Sequence, residues 1–194
     1  MTSYNLRQKQ AKLIRFFRKI HRITGASLFI FFFVIAISGI FLGWKSNSNG
    51  YILPNTAIGS TSELSSWLPL EDLHEKACQV LQDSISDELS LDLDRIDIRK
   101  ENGILKFVFE DHLWEVQLDG GSGELLSLGK RHSDFIENIH DGTILDSYFN
   151  TSNKQIKVIY TSIMGSALFL FTVTGFWLWY GPKRMKRIKR KQQH

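Results

Sequence analysis

The sequence is poor in cysteine, has no internal repeat and lacks the common catalytic motifs. Cys78 is the only cysteine among 194 residues, which excludes an intrachain disulfide framework and a cysteine-rich metal site. No repeat of fixed period occurs, and the only low-complexity tract is a basic tail, so a repeat architecture is excluded. No nucleophile–base motif, phosphate-binding loop, nucleotide fingerprint or zinc signature is present, which favours a non-enzymatic protein.

Acidic residues are absent from both ends of the chain. Residues 1–22 and 181–194 each carry seven Lys or Arg and no Asp or Glu. Residues 23–180 hold the other ten basic residues and all 20 acidic ones, so the net charge of +4 is what remains of +14 and −10. Because each basic cluster adjoins an apolar stretch, we expect contact with anionic lipid headgroups and no nucleic-acid partner.

Two long stretches contain no charged residue. They comprise residues 23–44 and 158–180 and would extend about 33–35 Å as helices, enough to cross a hydrocarbon core about 30 Å thick. We therefore predict transmembrane helices over 23–45 and 158–180. The first stretch is longer than the apolar region of a signal peptide and no small-residue cleavage site follows it, so we expect an uncleaved anchor.

The basic clusters also predict the orientation of the two helices. Lys and Arg gather on the cytoplasmic side of spanning helices. We expect a two-pass protein of a bacterial inner membrane, with cytoplasmic termini and residues 46–157 in the periplasm. Residues 1–22 form a basic amphipathic lead-in, and residues 181–194 form a cytoplasmic basic tail.

The region between the spans predicts an α+β module. A Gly/Ser/Asn-rich linker over 46–66 precedes a helix over 67–89, and a short helix over 132–140 ends at Gly142. Between the helices, alternating apolar residues and turn signals predict an antiparallel sheet with strands at 94–99, 104–109, 113–118 and 124–128. The module thus covers 67–142, and a connector over 143–157 leads to the second span.

Three segments resemble a known family. They read FRKIHRITG before the first span, VFEDHLWEVQLDGGSGELLSLGKRHSDFIENIHDG in the module, and GFWLWYGPKR after the second span. The chain resembles the PepSY-associated transmembrane proteins, in their short two-span branch. The resemblance implies a PepSY-like extracytoplasmic module, with a helix packed on an antiparallel sheet, inserted between two transmembrane helices.

The resemblance also implies three alternative roles. The first is an accessory or interaction module, without catalysis, in iron or siderophore uptake. The second is a haem-binding electron-transfer subunit similar to the ferric-siderophore reductases, which would make the chain a haem-dependent reductase component. The third is a regulator of extracytoplasmic proteolysis, by analogy with PepSY propeptides.

Histidines at span ends are haem-ligand candidates in the longer relatives, and the matching positions here are His21 and His140. The resemblance therefore implies haem b as the candidate cofactor. The predicted topology places these two histidines at opposite interfaces, about 30 Å apart, so they cannot ligate one iron within one chain. The arrangement that stays open is a homodimer, in which His21 pairs with His21 of the second copy or His140 pairs with His140 of the second copy.

Small residues in the spans predict a helix–helix interface. The first span contains a GxxxG pattern, and the second contains small residues four positions apart, both of which permit close helix approach. These faces pack either the two spans of one chain or two copies, so we expect a protein partner or a homodimer in addition to the lipid bilayer. The residues are Gly25, Gly39 and Gly43 in the first span and Ser162, Gly165 and Ser166 in the second.

Overall fold

The computed structural model describes residues 3–149 and 151–190, which form five α-helices and one four-stranded sheet. The helices are α1 (Ser3–Trp44), α2 (Leu70–Ser84), α3 (His132–Asp141), α4 (Thr143–Phe149) and α5 (Gln155–Arg190). The strands are β1 (Leu93–Arg99), β2 (Ile104–Phe109), β3 (Trp114–Asp119) and β4 (Leu125–Lys130). The fold is therefore an α+β module between two long helices, as predicted.

Helices α1 and α5 are long and apolar enough to cross a membrane. The qualifying segments, Gln8–Asn47 and Gln155–Ile188, have mean hydropathies of 2.5 and 1.7. The lead-in is part of the same helix as the first uncharged stretch, because α1 begins at Ser3. Helix α5 continues through Pro182 to Arg190, so the described part of the basic tail is helical, while residues 191–194 lie outside the described residues.

The chain forms two compact units. The helix unit contains Met1–Ile37 and Ile139–His194, and the sheet unit contains Ser38–Asn138. In the sheet unit all neighbouring strands are antiparallel, in the order β1-β2-β3-β4. Strand β2 is buried along its whole length, and β3 is buried at every residue after Trp114.

The core of the sheet unit lies between α2 and one face of the sheet. The predicted alternation in β2 is confirmed, since Leu105, Phe107 and Phe109 all point into this core. Burying each of these large side chains stabilises the fold by about 1.5–3 kcal/mol. The remaining fully buried members are Leu73, Ala77 and Leu81 from α2, and Val116 and Leu118 from β3.

The other face of the sheet is covered by residues 54–61, which we call the strap. This segment belongs to the predicted linker, yet it is held on the sheet by side chains of β3. The Gln117 amide accepts from Ala57 N at 2.9 Å and donates to Asn55 O at 2.8 Å, and Asp119 accepts from both the backbone N and the hydroxyl of Ser60. Polar side chains of β3 on the second face thus form hydrogen bonds to the strap.

Several element bounds differ from the predictions. Helix α2 ends at Ser84 and not at residue 89. Helix α2 begins at Leu70 and not at residue 67, because Pro69 has extended backbone angles (φ −52°, ψ 141°) and the Trp67 indole instead donates to Thr61 O at 3.0 Å. The predicted connector over 143–157 contains helix α4 and a short 3-10 turn, Ser152–Lys154.

Candidate functional site

His21 is held between the two long helices of the helix unit. Its Nδ1 lies 3.0 Å from Thr174 Oγ1, and its ring stacks on Phe171 with the ring centres 3.9 Å apart. A Cβ at Gly175 would lie 3.4 Å from His21 Cε1, so a glycine at this position leaves room for the imidazole. His21 is therefore part of the α1–α5 contact and not a freely solvated basic-cluster residue.

The Thr174 hydroxyl contacts two backbone carbonyls of α5 as well as the imidazole. It lies 2.7 Å from Leu170 O and 3.0 Å from Phe171 O. When the hydroxyl donates to one of these carbonyls, its oxygen is an acceptor for His21 Nδ1–H. Metal-ligating histidines use the same arrangement, in which one ring nitrogen donates to a neighbouring oxygen and orients the other for coordination.

Two further contacts between α1 and α5 have the same antiparallel pairing as His21 with Thr174. A Cβ at Gly181 would lie 3.0 Å from Ile14, and one at Gly25 would lie 2.9 Å from Phe171. As the residue number increases along α1, the number of the α5 residue that it contacts decreases by about the same amount, as expected for antiparallel helices. Glycine favours close approach at both positions, because a larger side chain there would have to displace the end of the Phe171 or Ile14 side chain.

A groove of about 720 Å³ lies between α1 and α5 farther along the helix unit. Its walls are mainly aromatic and aliphatic, and its polar groups are His140, Asp141, Tyr160 and Thr161. The volume is in the range of small-molecule and cofactor sites. The apolar lining includes Phe29, Phe32, Phe33, Met164, Leu168 and Phe171.

The structure does not bring the two candidate haem ligands together. His140 lines the groove together with Tyr160, whereas His21 contacts Thr174 and is not a lining residue. Tyr160 and Thr174 are 14 positions apart on α5, which corresponds to about 21 Å along the helix axis. The two imidazoles therefore do not fit as the axial ligands of one haem in one chain.

The small residues predicted to form a helix interface have different surroundings. Gly25 lies against Phe171, but Cβ atoms at Gly43 and Gly165 would meet nothing within 4 Å. Gly165 lines the groove, Gly39 is half-buried, and Ser162 and Ser166 are exposed. The buried residues of α5 are instead Met164, Ala167, Thr174 and Gly181. Their spacing, with the half-buried Phe171, follows one helix face and is the sequence signal that was missed.

The sheet unit contains a cluster of buried charges that the sequence did not reveal. Glu115 is fully buried and contacts Lys106 at 3.5 Å, Arg131 and the Gln117 amide. Burial lowers the pKa of Lys106, and Arg131 lowers it further, while the Glu115 carboxylate opposes the shift. Within the described residues, no three His, Cys, Asp or Glu side chains group closely enough to hold a metal ion. The ion pairs of Glu115 link β2 and β3 to Arg131, the residue that follows β4.

The comparisons with known proteins agree with this architecture. A family model, the PepSY-associated TM region, matches residues 18–194. No curated protein and no solved structure matches the chain. The matched range includes both membrane helices, the sheet unit, His21 and His140. The chain is a membrane protein with two membrane helices, and it belongs to the PepSY-associated transmembrane family.

Proposed function

We propose that this chain is a membrane-anchored accessory module whose sheet unit contacts a partner protein in the periplasm during iron or siderophore uptake. The observation that carries the proposal is that the polar part of the chain folds as its own α+β unit and is joined at both ends to a membrane helix. Tethering keeps such a unit at the membrane, which suits contact with another envelope protein.

The surface charge of the sheet unit supports a contact role. Most of its buried charges are compensated internally, by the ion pairs of Glu115 and Asp134. The exposed side of α2, by contrast, carries the acidic residues Glu71, Asp72 and Glu75, against one basic residue, Lys76. An acidic helix face of this kind favours a basic partner surface through complementary potentials.

The orientation can be tested with single-cysteine variants in a Cys78→Ser background. Glu101 in the sheet unit and Lys186 in α5 are both exposed. We expect Glu101→Cys to react with an impermeant maleimide in intact spheroplasts and Lys186→Cys to react only after permeabilisation. The reverse pattern would place the sheet unit in the cytoplasm and remove the proposal.

The role itself can be tested by genetics and crosslinking together. A strain that lacks the chain should take up less radiolabelled ferric siderophore, and the full-length chain should restore uptake. A photoreactive amino acid at Glu75 on α2 should crosslink to an envelope protein, whereas the same group at the exposed Phe169 in the second span should not give that product. Normal uptake in the deletion strain would refute the role in iron acquisition.

A haem-binding electron-transfer subunit is the second candidate, and the orientation of His21 by Thr174 favours it. Since His21 and His140 do not fit one haem within a chain, this function requires ligands from two copies. A Soret band from the purified protein, lost in His21→Ala or His140→Ala, together with a dimeric mass, would support it. A colourless monomer after haem supplementation would exclude it.

A further inference from the structure

Helix α4 carries four large apolar residues that its own chain leaves exposed. The exposed fractions are 39% for Ile144, 36% for Leu145, 81% for Tyr148 and 61% for Phe149. At 100° per residue these four residues span about 140° of the helix surface, and Ser147 lies outside this arc, about 130° from its centre. The rings of Tyr148 and Phe149 contact each other edge to face, 5.1 Å apart. Helix α4 thus has an apolar face that no described residue covers.

The buried face of α4 is attached to the beginning of α5. Asp146 is 5% exposed, and its carboxylate accepts from Ile156 N at 2.9 Å and from Lys157 N at 2.6 Å. These are backbone groups in the first turn of α5, which have no acceptor within the helix itself. Asp146 also accepts from the Thr151 hydroxyl. The carboxylate therefore caps α5 and sets the position of α4 beside its first turn.

Two further contacts attach the preceding residues to α5. The Asp141 carboxylate pairs with the ammonium group of Lys157. Gly142 has φ +81°, and a Cβ there would lie 2.7 Å from the ring of Tyr160. Residues 141–149 are consequently held against α5 at several points, and α4 is not a free loop.

The attachment lies at the boundary of the second span. Ile156 and Lys157 immediately precede residue 158, where the uncharged stretch of α5 begins. A helix fixed at this depth is close to the headgroup layer of the bilayer, where Tyr and amphipathic helices are enriched. The apolar face of α4 therefore lies next to the end of the apolar surface by which α5 is suited to cross the bilayer.

We propose that α4 is an interfacial helix that inserts Ile144, Leu145, Tyr148 and Phe149 into the headgroup–acyl boundary at the N-terminal end of α5. Lipid, and not a protein partner, therefore covers the apolar face of α4. Asp146 fixes the helix to the span, and the aromatic pair anchors it in the interface. The proposal depends on neither the proposed function nor the proposed orientation.

Spin-label depth measurements on the full chain in lipid nanodiscs test this proposal. In a Cys78→Ser background, labels are placed one at a time at Tyr148→Cys and Phe149→Cys, with Ser147→Cys as the matched control outside the arc of the four apolar residues. Glu101→Cys serves as the aqueous reference and Phe169→Cys as the span reference, since both residues are exposed. The measured quantity is the ratio of collision rates with molecular oxygen and with a water-soluble nickel chelate.

We expect the oxygen-to-nickel ratio at 148 and 149 to exceed that at 147 and 101 several-fold and to stay below that at 169. A ratio at 148 and 149 equal to the aqueous reference would overturn the proposal. Labels shielded from both reagents would also overturn it, because a protein partner or a second copy would then cover the face. A melting curve for each labelled protein that matches the unlabelled parent shows that the fold is retained.

Discussion

Glu115 is a buried carboxylate held between two cations. It has no exposed surface, and it contacts Lys106, Arg131 and the Gln117 amide. Breaking a buried ion pair costs about 3–5 kcal/mol when the remaining charge has no partner. Loss of the Glu115 charge would leave Lys106 without its anionic partner, with the neutral Thr56 hydroxyl as its hydrogen-bonded neighbour.

We therefore predict that Glu115→Gln destabilises the sheet unit by about 3 kcal/mol. Lys106→Met should cost less, because Glu115 then keeps Arg131 and Gln117. The reaction rate of Cys78 with a thiol reagent, followed against urea in the full chain, reports the change, since Cys78 packs against the core. Glu110→Gln, at an exposed position, is the control. Equal midpoints for Glu115→Gln and Glu110→Gln would contradict the prediction.

Asp119 makes the stability of the strap depend on pH. Burial alone would raise its pKa, but hydrogen bonds from Ser122, Ser60 and Gly121 lower it below the usual value of 3.8. Because the unfolded chain then binds the proton more readily, the stabilisation is complete above about pH 4 and disappears as the pH falls through the lowered pKa. We predict loss of sheet-unit stability below pH 4 that is shallower in Asp119→Asn, measured by the same labelling assay.

At the scale of elements, local pattern predicts most of the sheet unit. The bounds of β2 agree with the prediction and those of the other strands differ by one or two residues, because alternation and turn residues act over short sequence distances. The strap was not predictable in this way. It depends on the pairing of Gln117 with Ala57, 60 positions away, and no periodicity in residues 54–61 indicates that contact.

The candidate site shows the same limit. The residue types at His21 and His140 were recognisable, but the Thr174 partner of His21 lies 153 positions away. The GxxxG pattern also could not indicate which glycine faces the other helix. Gly25 contacts Phe171, whereas a Cβ placed at Gly43 would have no neighbouring atom within 4 Å.

This difference between the two glycines gives a prediction for the α1–α5 pair. Gly25→Leu should disrupt the contact, because its Cβ would lie 2.9 Å from Phe171 and overpacking costs about 1–3 kcal/mol. Gly43→Leu should have no effect on it. A short bismaleimide applied to Ile14→Cys with Gly181→Cys, in a Cys78→Ser background, measures the contact as crosslinking yield. Equal yields in the two leucine variants would be inconsistent with the helix pairing.

At the scale of the whole molecule, the two uncharged stretches are out of register in the helix unit. The contacts Ile14–Gly181, His21–Thr174 and Gly25–Phe171 pair residues whose numbers sum to about 195. Residues 23–37 of α1 then lie beside 158–172 of α5. This shared uncharged layer is about 22 Å thick, which is thinner than a typical hydrocarbon core of about 30 Å.

The offset places basic residues of α1 beside the aromatic end of α5. Lys19 and Arg22 are exposed and lie at the level of residues 173–176. Long basic side chains can reach the headgroups from such a depth, at a cost that increases with bilayer thickness. A bilayer with a thin hydrocarbon core avoids this cost.

We predict that the α1–α5 contact is strongest in thin bilayers. In vesicles of phosphatidylcholine with monounsaturated chains of 14 to 22 carbons, the crosslinking yield between Ile14→Cys and Gly181→Cys should be highest with the shorter chains. Lys19→Leu with Arg22→Leu lengthens the uncharged part of α1, so the optimum should move to longer chains. Lys183→Gln with Lys186→Gln, which leaves the shared layer unchanged, should not move it. A yield independent of chain length would mean that helix tilt, and not the offset of the two stretches, determines how the protein fits its membrane.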